Sequence, residues 1–365
     1  MPTIELGLDT FGDVTADADG RLLPHARVLR DVIAEAELAD RVGVDFFGVG
    51  EHHRPDFAIS APEVLLAAIA GRTERLKLGT AVTVLSSDDP IRVYQRFSTL
   101  NAVSNGRAEV ILGRGSFTES FPLFGYSLDD YEVLFEEKLA IFAALRDAHR
   151  TGQPVKWKGT TRPPLDGVRV FPPVENPPLS TWVGVGGSPQ SVVRAARYGF
   201  PLTLAIIGGD PRRFKPYVEI YHRALTQLGH ASLPVGIHSP GHIAENDEQA
   251  QEELWPAYQV MRNRIGAERG WGPTSRVEFD QEIASGSLYV GSPETVARKI
   301  AATVRALGAS RFDLKYSAGT LGHEIMLRSI ELYGREVIPR VRQELEAGSA
   351  VTPSSLHSSA LAPSK

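Results

Sequence analysis

The chain has 365 residues, of which 42% are hydrophobic and 23% are charged, and these are the proportions of a soluble globular protein. The formal net charge of −5 argues against a nucleic-acid or anionic-membrane partner, and the absence of cysteine excludes disulfides, thiolate metal ligands and a cysteine nucleophile. No apolar run approaches the roughly 20 residues that span a bilayer, and the first residues lack the pattern of a signal peptide, so we expect a cytoplasmic protein without a membrane partner.

Strand-like and helix-like segments alternate along the first part of the chain. Two of the helices carry a proline in their first turn, which is the position that tolerates one. The alternation predicts parallel strands joined by right-handed crossovers. The predicted order is strand 4–9, helix 25–42, strand 46–49, helix 62–73, strand 76–84, helix 90–104 and strand 107–112.

The second part repeats this rhythm less regularly. Its predicted elements are helix 128–147, a hairpin of 155–157 with 168–171, strand 181–185, helix 188–199, strand 201–207, helix 211–228, strand 234–238, a helix from 247, an inserted polar loop 266–285, helix 293–307, strand 311–316 and helix 322–345 kinked at Pro339. Eight strand–helix units predict an α/β fold, a (β/α)8 TIM barrel. We expect one domain over 1–347, with insertions near 150–180 and 266–290, and a disordered tail over 348–365.

A polar cluster, Glu51-His52-His53-Arg54, follows the strand at 46–49. Barrel enzymes place their chemistry at such strand tips. A metal site, an acid or base over a bound ligand, and a structural His–Glu network are the alternatives. Adjacent residues on an extended chain point to opposite sides, and the only further imidazoles near a strand tip are His238 and His242. We therefore predict no metal, and an acid or base near neutral pH.

Two other strand tips have the features of an anion site. Arg114 lies between Gly113 and Gly115, and an arginine there can bind phosphate or carboxylate bidentately. The sequence 186–191, Gly-Gly-Ser-Pro-Gln-Ser, takes a strand into a capped helix whose free amides can also bind an anion. Each feature alone is also consistent with an ordinary turn. Together they predict one phosphate held between the fourth and fifth strands.

The combination of motifs resembles the bacterial luciferase-like flavin-dependent monooxygenases. The likeness extends over residues 4–205 in order and spacing. It rests on Glu51-His52-His53, on 78–85 (Leu-Gly-Thr-Ala-Val-Thr-Val-Leu), on Ser104-Asn105-Gly106-Arg107, on Leu112-Gly113-Arg114-Gly115 and on Gly186-Gly187-Ser188.

The resemblance implies a monooxygenase that uses reduced FMN and O2 on a small organic substrate, usually as a homodimer. It makes His52 the catalytic histidine, and Ala81–Val82 a non-prolyl cis peptide bond behind the flavin ring. The cofactor-binding residues it implies are Ala81, Val82, Arg114, Gly115, Gly186, Gly187, Ser188 and Ser191.

Several alternatives stay open at this point. An F420-dependent oxidoreductase and a flavin-binding protein without turnover would have the same barrel, and a separate reductase is an expected partner that supplies reduced flavin. Helices 62–73 and 90–104 are the predicted dimer face, and the loop around Trp271 is a predicted lid. Substrate-pocket walls come from loops, and the candidate aromatic residues there indicate an apolar substrate: Phe11, Phe57, Phe117 and Tyr316.

Overall fold

The structure is a computed structural model that describes residues 3–17, 19–174 and 177–350, with side chains to residue 347. The strands in these ranges are β1 (Glu5–Thr10), β2 (Phe46–Val49), β3 (Lys77–Thr80), β4 (Thr83–Val84), β5 (Glu109–Gly113), β6 (Val155–Trp157), β7 (Leu165–Val168), β8 (Ser180–Val185), β9 (Leu202–Ala205), β10 (Val235–Ile243), β11 (Tyr289–Gly291) and β12 (Arg311–Lys315). The α-helices are α1 (His25–Val42), α2 (Pro62–Ala70), α3 (Pro90–Val103), α4 (Ser120–Phe124), α5 (Tyr131–Thr151), α6 (Pro189–Arg197), α7 (Lys215–Gln227), α8 (Asp247–Arg269), α9 (Arg276–Ala284), α10 (Pro293–Leu307), α11 (His323–Leu332) and α12 (Ile338–Ala350).

The parallel strands form a nearly closed barrel. Hydrogen-bonded neighbours run in the order β3-β2-β1-β12-β10-β9-β8-β5-β4. The two ends of this path meet because β3 and β4 are consecutive pieces of one stave and because Leu78 also bridges to Ala108, just before β5. The nine strands thus make eight staves, and the predicted (β/α)8 barrel is confirmed. The carboxyl ends of the staves gather the strand-tip motifs at one mouth.

Two additions lie outside the staves. An antiparallel hairpin of β6 and β7 occupies the predicted excursion, and β11 pairs with β10 in parallel. Within the described residues, no helix is both long enough and apolar enough to cross a membrane.

The prediction of an inserted loop over 266–285 is wrong. α8 continues to Arg269, and α9 covers most of the remaining segment. Gly270 ends α8 in the left-handed conformation, and Ser275 with Glu278 forms a capping box that starts α9. The polar composition reflects the exposed surface of α9, since only Phe279 of that helix is buried.

Two further predicted elements are interrupted in the structure. The strand 76–84 divides into β3 and β4 around Ala81 and Val82. The final helix is divided by a π-helical turn, Tyr333–Val337, that begins before Pro339. Proline lacks the N–H that would bond the carbonyl one turn earlier, so the hydrogen-bond ladder is already disturbed upstream of it. Of the predicted tail over 348–365, residues 351–365 lie outside the described part of the chain.

The barrel interior below the mouth contains a buried ionic cluster. Arg311 is fully buried and donates to Glu109 Oε2 at 2.5 Å and to Asp313 Oδ2 at 2.8 Å. Its guanidinium carbon lies 3.6 Å from the ring centroid of Phe46. Burial raises the pKa of Asp313 to about 7, although Arg311 acts in the opposite direction. The cluster ties β5 to β12 across the barrel, which fixes the staves that carry the mouth.

Tyr316 to phenylalanine is expected to lower the free energy of unfolding by about 1–3 kcal/mol. The Tyr316 hydroxyl donates to Glu35 Oε2 at 2.6 Å, both side chains are buried, and the variant would leave that carboxylate oxygen short of a partner. Urea denaturation measures the change.

The matched control is Tyr94 to phenylalanine. The Tyr94 hydroxyl is also buried, but it has no hydrogen-bond partner among the described residues. Its removal should therefore leave the free energy of unfolding almost unchanged. Equal decreases in this free energy in the two variants would contradict the view that the Tyr316–Glu35 bond stabilises the protein.

Candidate active site

His52 lies in an aromatic recess at the mouth. It follows β2, and its backbone N–H donates to the carbonyl of Ile59 at 2.9 Å. Its side chain is only 7% exposed, and Nδ1 lies 3.4 Å from Glu119 Oε1. Three aromatic rings have centroids 4.5–5.3 Å from the imidazole, namely Phe11, Phe57 and Phe117. The ring is thus shielded from water and has one carboxylate within reach.

Glu119 was not singled out from the sequence. It reaches His52 from the loop after β5, and Oε1 also accepts a hydrogen bond from the backbone N–H of His53 at 3.4 Å. Burial raises the pKa of Glu119, but the hydrogen bond of His52 and that N–H outweigh burial and hold the pKa below its usual value. The carboxylate is therefore ionised at neutral pH and can accept a hydrogen bond from the imidazole.

The two adjacent histidines contact different partners. His53 Nε2 lies 2.9 Å from Glu51 Oε1, and its ring meets Phe124 edge-on at 4.9 Å. The other oxygen of Glu51 accepts a hydrogen bond from the backbone N–H of Val84 at 2.9 Å. Glu51 and His53 therefore hold β4 at Val84, as the structural alternative for this cluster anticipates, while His52 faces the recess.

The peptide bond between Ala81 and Val82 is cis, as the family resemblance implied. Both residues are half-buried, and neighbouring staves present glycines to them. A Cβ at Gly113 would lie 2.5 Å from Val82 Cγ2, and one at Gly184 would lie 2.9 Å from Val82 Cγ1. Larger residues at these two positions would clash with Val82, so the two glycines make room for its side chain.

The residues of the predicted anion site come together at the start of α6. The Ser188 hydroxyl caps the helix by accepting from the Ser191 N–H at 3.3 Å, and it donates to the Ser191 hydroxyl at 2.8 Å. The guanidinium of Arg114 donates to that second hydroxyl at 3.4 Å. Gly187 has a φ of +90°, and a Cβ on Gly186 would meet nothing within 4 Å. The cradle therefore has open space beside its donors.

This cradle fits a phosphate, except that a carboxylate already pairs with its arginine. A guanidinium, two hydroxyls and a helix N-terminus are the donor set that phosphate prefers. Glu132, at the start of α5, forms an ion pair with Arg114 and accepts from Arg194 at 2.9 Å. The Glu132 side chain is 64% exposed, so it can rotate away and leave Arg114 to an incoming anion.

Comparison with known proteins decides the family. The sequence profile of the luciferase-like monooxygenases matches residues 11–311. The chain belongs to the luciferase-like monooxygenase family. It is 26% identical over 328 residues to the 4-hydroxyprotoasukamycin monooxygenase of Streptomyces nodosus subsp. asukaensis, in an alignment that covers 86% of this chain and 87% of that protein.

Two solved structures show that the fold is shared. The oxygenating constituent of 3,6-diketocamphane monooxygenase from Pseudomonas putida, in complex with FMN, matches with a TM-score of 0.72 and 20% identity, over 93% of this chain and 99% of that one. An F420-dependent secondary alcohol dehydrogenase matches with a TM-score of 0.70 and 18% identity, again over 93% of this chain and 99% of that one.

In this luciferase-like monooxygenase the end of α8 lies against the mouth. Arg54 donates to both carboxylate oxygens of Glu268, at 2.8 and 2.5 Å, and its guanidinium carbon lies 4.4 Å from the ring centroid of Phe117. Arg269 donates to the carbonyl of Ser116 at 3.0 Å. These contacts join α8 to the loops that hold His52, so the predicted lid lies partly in α8 and not in a free loop.

Other predicted residues divide between the site and the scaffold. Tyr316 was predicted among the mouth aromatics, but it is fully buried and bonded to Glu35, so that prediction is wrong.

In the part of the chain that the structure describes, no group of three or more histidine, aspartate or glutamate side chains is arranged to hold a metal ion.

Proposed function

We propose that this enzyme is an FMN-dependent monooxygenase that uses reduced FMN and O2 to oxygenate a small apolar organic substrate. The observation that carries the proposal is the convergence at one mouth of a phosphate cradle and a shielded histidine. Arg114, Ser188 and Ser191 make the cradle, and His52 lies in an aromatic recess at the same end of the barrel. Ala81 and Val82 present half-buried backbone to the same mouth.

Each residue then has a role that its surroundings allow. Reduced FMN, when bound, supplies the electrons that activate O2. Arg114 and the two serine hydroxyls hold the cofactor phosphate, with the backbone of 115 and 186–187 close by. Phe57 and Phe117 keep water away from His52. His52 transfers a proton at its ring nitrogen, and Glu119 orients the ring.

The proposal extends to partners. An enzyme that consumes reduced FMN needs a source of it, and we infer a separate flavin reductase. A homodimer is inferred from α2 and α3, which are adjacent on the barrel surface and expose apolar side chains. Val64 of α2 is 72% exposed and Val103 of α3 is 60% exposed. Sedimentation of the purified protein tests this inference directly, and a monomer at micromolar concentration would reject it.

An anaerobic titration tests the cofactor. The protein is titrated with FMN and reduced FMN beside F420 and reduced F420, and the loaded protein is then mixed with O2 in a stopped-flow instrument. Tight binding of reduced FMN with an oxygen-dependent absorbance transient is the expected result. Preference for F420 without any such transient would move the enzyme to hydride transfer, and binding of neither cofactor would refute a flavin or deazaflavin function.

Glu132 to glutamine is expected to tighten FMN binding by about 3–10-fold, because the carboxylate competes with the phosphate for Arg114. Riboflavin, which lacks the phosphate, should bind the variant and the wild type equally. Fluorescence titration measures both ligands. A parallel gain for riboflavin would show that Glu132 acts on the ring or on folding and not on the phosphate.

A further inference from the structure

An Asp–His pair that the proposed roles above do not use lies inside the barrel near the mouth. His238 Nδ1 lies 2.7 Å from Asp9 Oδ2, and Asp9 is fully buried while the His238 side chain is 11% exposed. β12 lies between β1 and β10, so this bond joins two staves that are not neighbours, across the inner face of the barrel. Such a contact fixes the orientation of the imidazole.

The other ring nitrogen of His238 is unengaged. Nε2 makes no hydrogen bond to any residue that the structure describes, and the bond to Asp9 selects the tautomer in which Nδ1 carries the hydrogen. The ring stacks on Phe11, with centroids 6.1 Å apart and planes within 14°. Phe11 also contacts the ring of His52 edge-on, with ring centroids 4.9 Å apart. Phe11 therefore contacts both imidazoles, and the His238 ring borders the aromatic recess of His52.

The surroundings favour proton uptake at this ring. Burial lowers the pKa of His238, but the negative charge and hydrogen bond of Asp9 outweigh burial and raise it above the ordinary value. The other charged groups that face the ring come from β12, where Asp313 acts in the same direction as Asp9 and Lys315 acts against it. An imidazole whose protonated form is stabilised in this way can accept a proton from a weakly acidic hydroxyl.

We propose that His238, positioned by Asp9, is a general base for the substrate, and that the substrate is a phenol. The substrate O–H bond breaks with its electron pair left on oxygen, and the proton forms a new bond to Nε2. The imidazolium then keeps its Nδ1–H on the Asp9 carboxylate. The resulting phenolate is a more electron-rich ring for oxygenation, and the aromatic walls at Phe11, Phe57 and Phe117 suit its shape. This inference rests on the proposed function only for the oxygenation that follows deprotonation.

The test uses 4-nitrophenol, whose anion absorbs at a longer wavelength than the neutral phenol, bound to the full-length protein without flavin. A pH titration of the bound probe should show its apparent pKa lowered by about 1–3 units relative to the free phenol. In His238→Gln the value should return to that of the free phenol. Asp9→Asn should lose most of the shift as well, because an amide that donates to Nδ1 favours the tautomer with hydrogen on Nε2.

His230→Gln, which changes an exposed histidine, is the matched control and should keep the full shift. Nitrogen-15 NMR of the wild-type protein gives a second measurement that needs no variant, with Nδ1 of His238 protonated and Nε2 unprotonated above its pKa. Failure of the wild type to bind the probe, an unshifted titration, or the opposite tautomer would overturn the proposal. FMN binding is measured separately. If the protein does not bind FMN but still lowers the pKa of the phenol, only the proposal that FMN is the cofactor is refuted.

Discussion

Replacing His52 with alanine is expected to slow turnover of the flavin-loaded enzyme by about 10²–10⁴-fold, which is the range for loss of a general acid or base. FMN binding should change by no more than a few-fold, because the phosphate cradle at Arg114 does not contact this side chain. The measurement pairs an FMN titration with single-turnover oxidation of the reduced, loaded protein by O2. The difference between the effects on rate and on FMN affinity follows from geometry, since His52 has Glu119 and three aromatic rings as its neighbours.

The neighbouring residue provides the control for this experiment. His53→Gln alters an imidazole one residue away that is bonded to Glu51, and Glu51 in turn accepts from Val84 of β4. It should leave the single-turnover rate within a few-fold of wild type if the recess geometry is what matters. Equal losses of rate and of flavin affinity in His52→Ala would mean that His52 is structural, and the catalytic assignment would fall.

Much of the fold could be predicted because its signals are local. Helix 25–42 and strand 46–49 have the predicted bounds, since periodicity and a stop signal at Gly43 define them without any distant contact. The segment 266–285 was misjudged because α9 buries only Phe279, which leaves almost no apolar period to detect. The π-helical turn at 333–337 brings Gly334 against Val42, which lies far away in sequence, so local periodicity does not locate it.

The site could be predicted only where a motif is contiguous. His52 and Arg114 stand in recognisable short motifs, and the structure places both at the mouth. Glu119 and Asp9 carry no local signal, because each acts through a partner that the barrel closure brings to it from another stave. His238 was noted only as a possible extra ligand, and its pairing with Asp9 is visible only once β1 and β10 flank β12.

Arg114 to alanine is expected to weaken FMN binding by about 30–150-fold, the equivalent of the roughly 2–3 kcal/mol that a charge-assisted hydrogen bond contributes. Riboflavin affinity should stay within a few-fold of wild type, because the lost guanidinium faces Ser191 and Glu132 and not the aromatic recess. Isothermal titration of both flavins measures the ratio of the two affinities. That ratio isolates the phosphate, since a general loss of folding would lower both affinities together.

Arg212→Ala tests whether charge alone accounts for the effect. Arg212 lies at the start of the turn that precedes α7, is mostly exposed, and pairs with Asp210 at 2.7 Å. Its removal changes the net charge by the same amount, so FMN binding should be nearly unaffected if direct contact with the phosphate is required. Equal weakening in the two variants would show that long-range attraction draws FMN to the mouth. Loss of riboflavin binding in Arg114→Ala would instead show that the cradle supports the flavin ring.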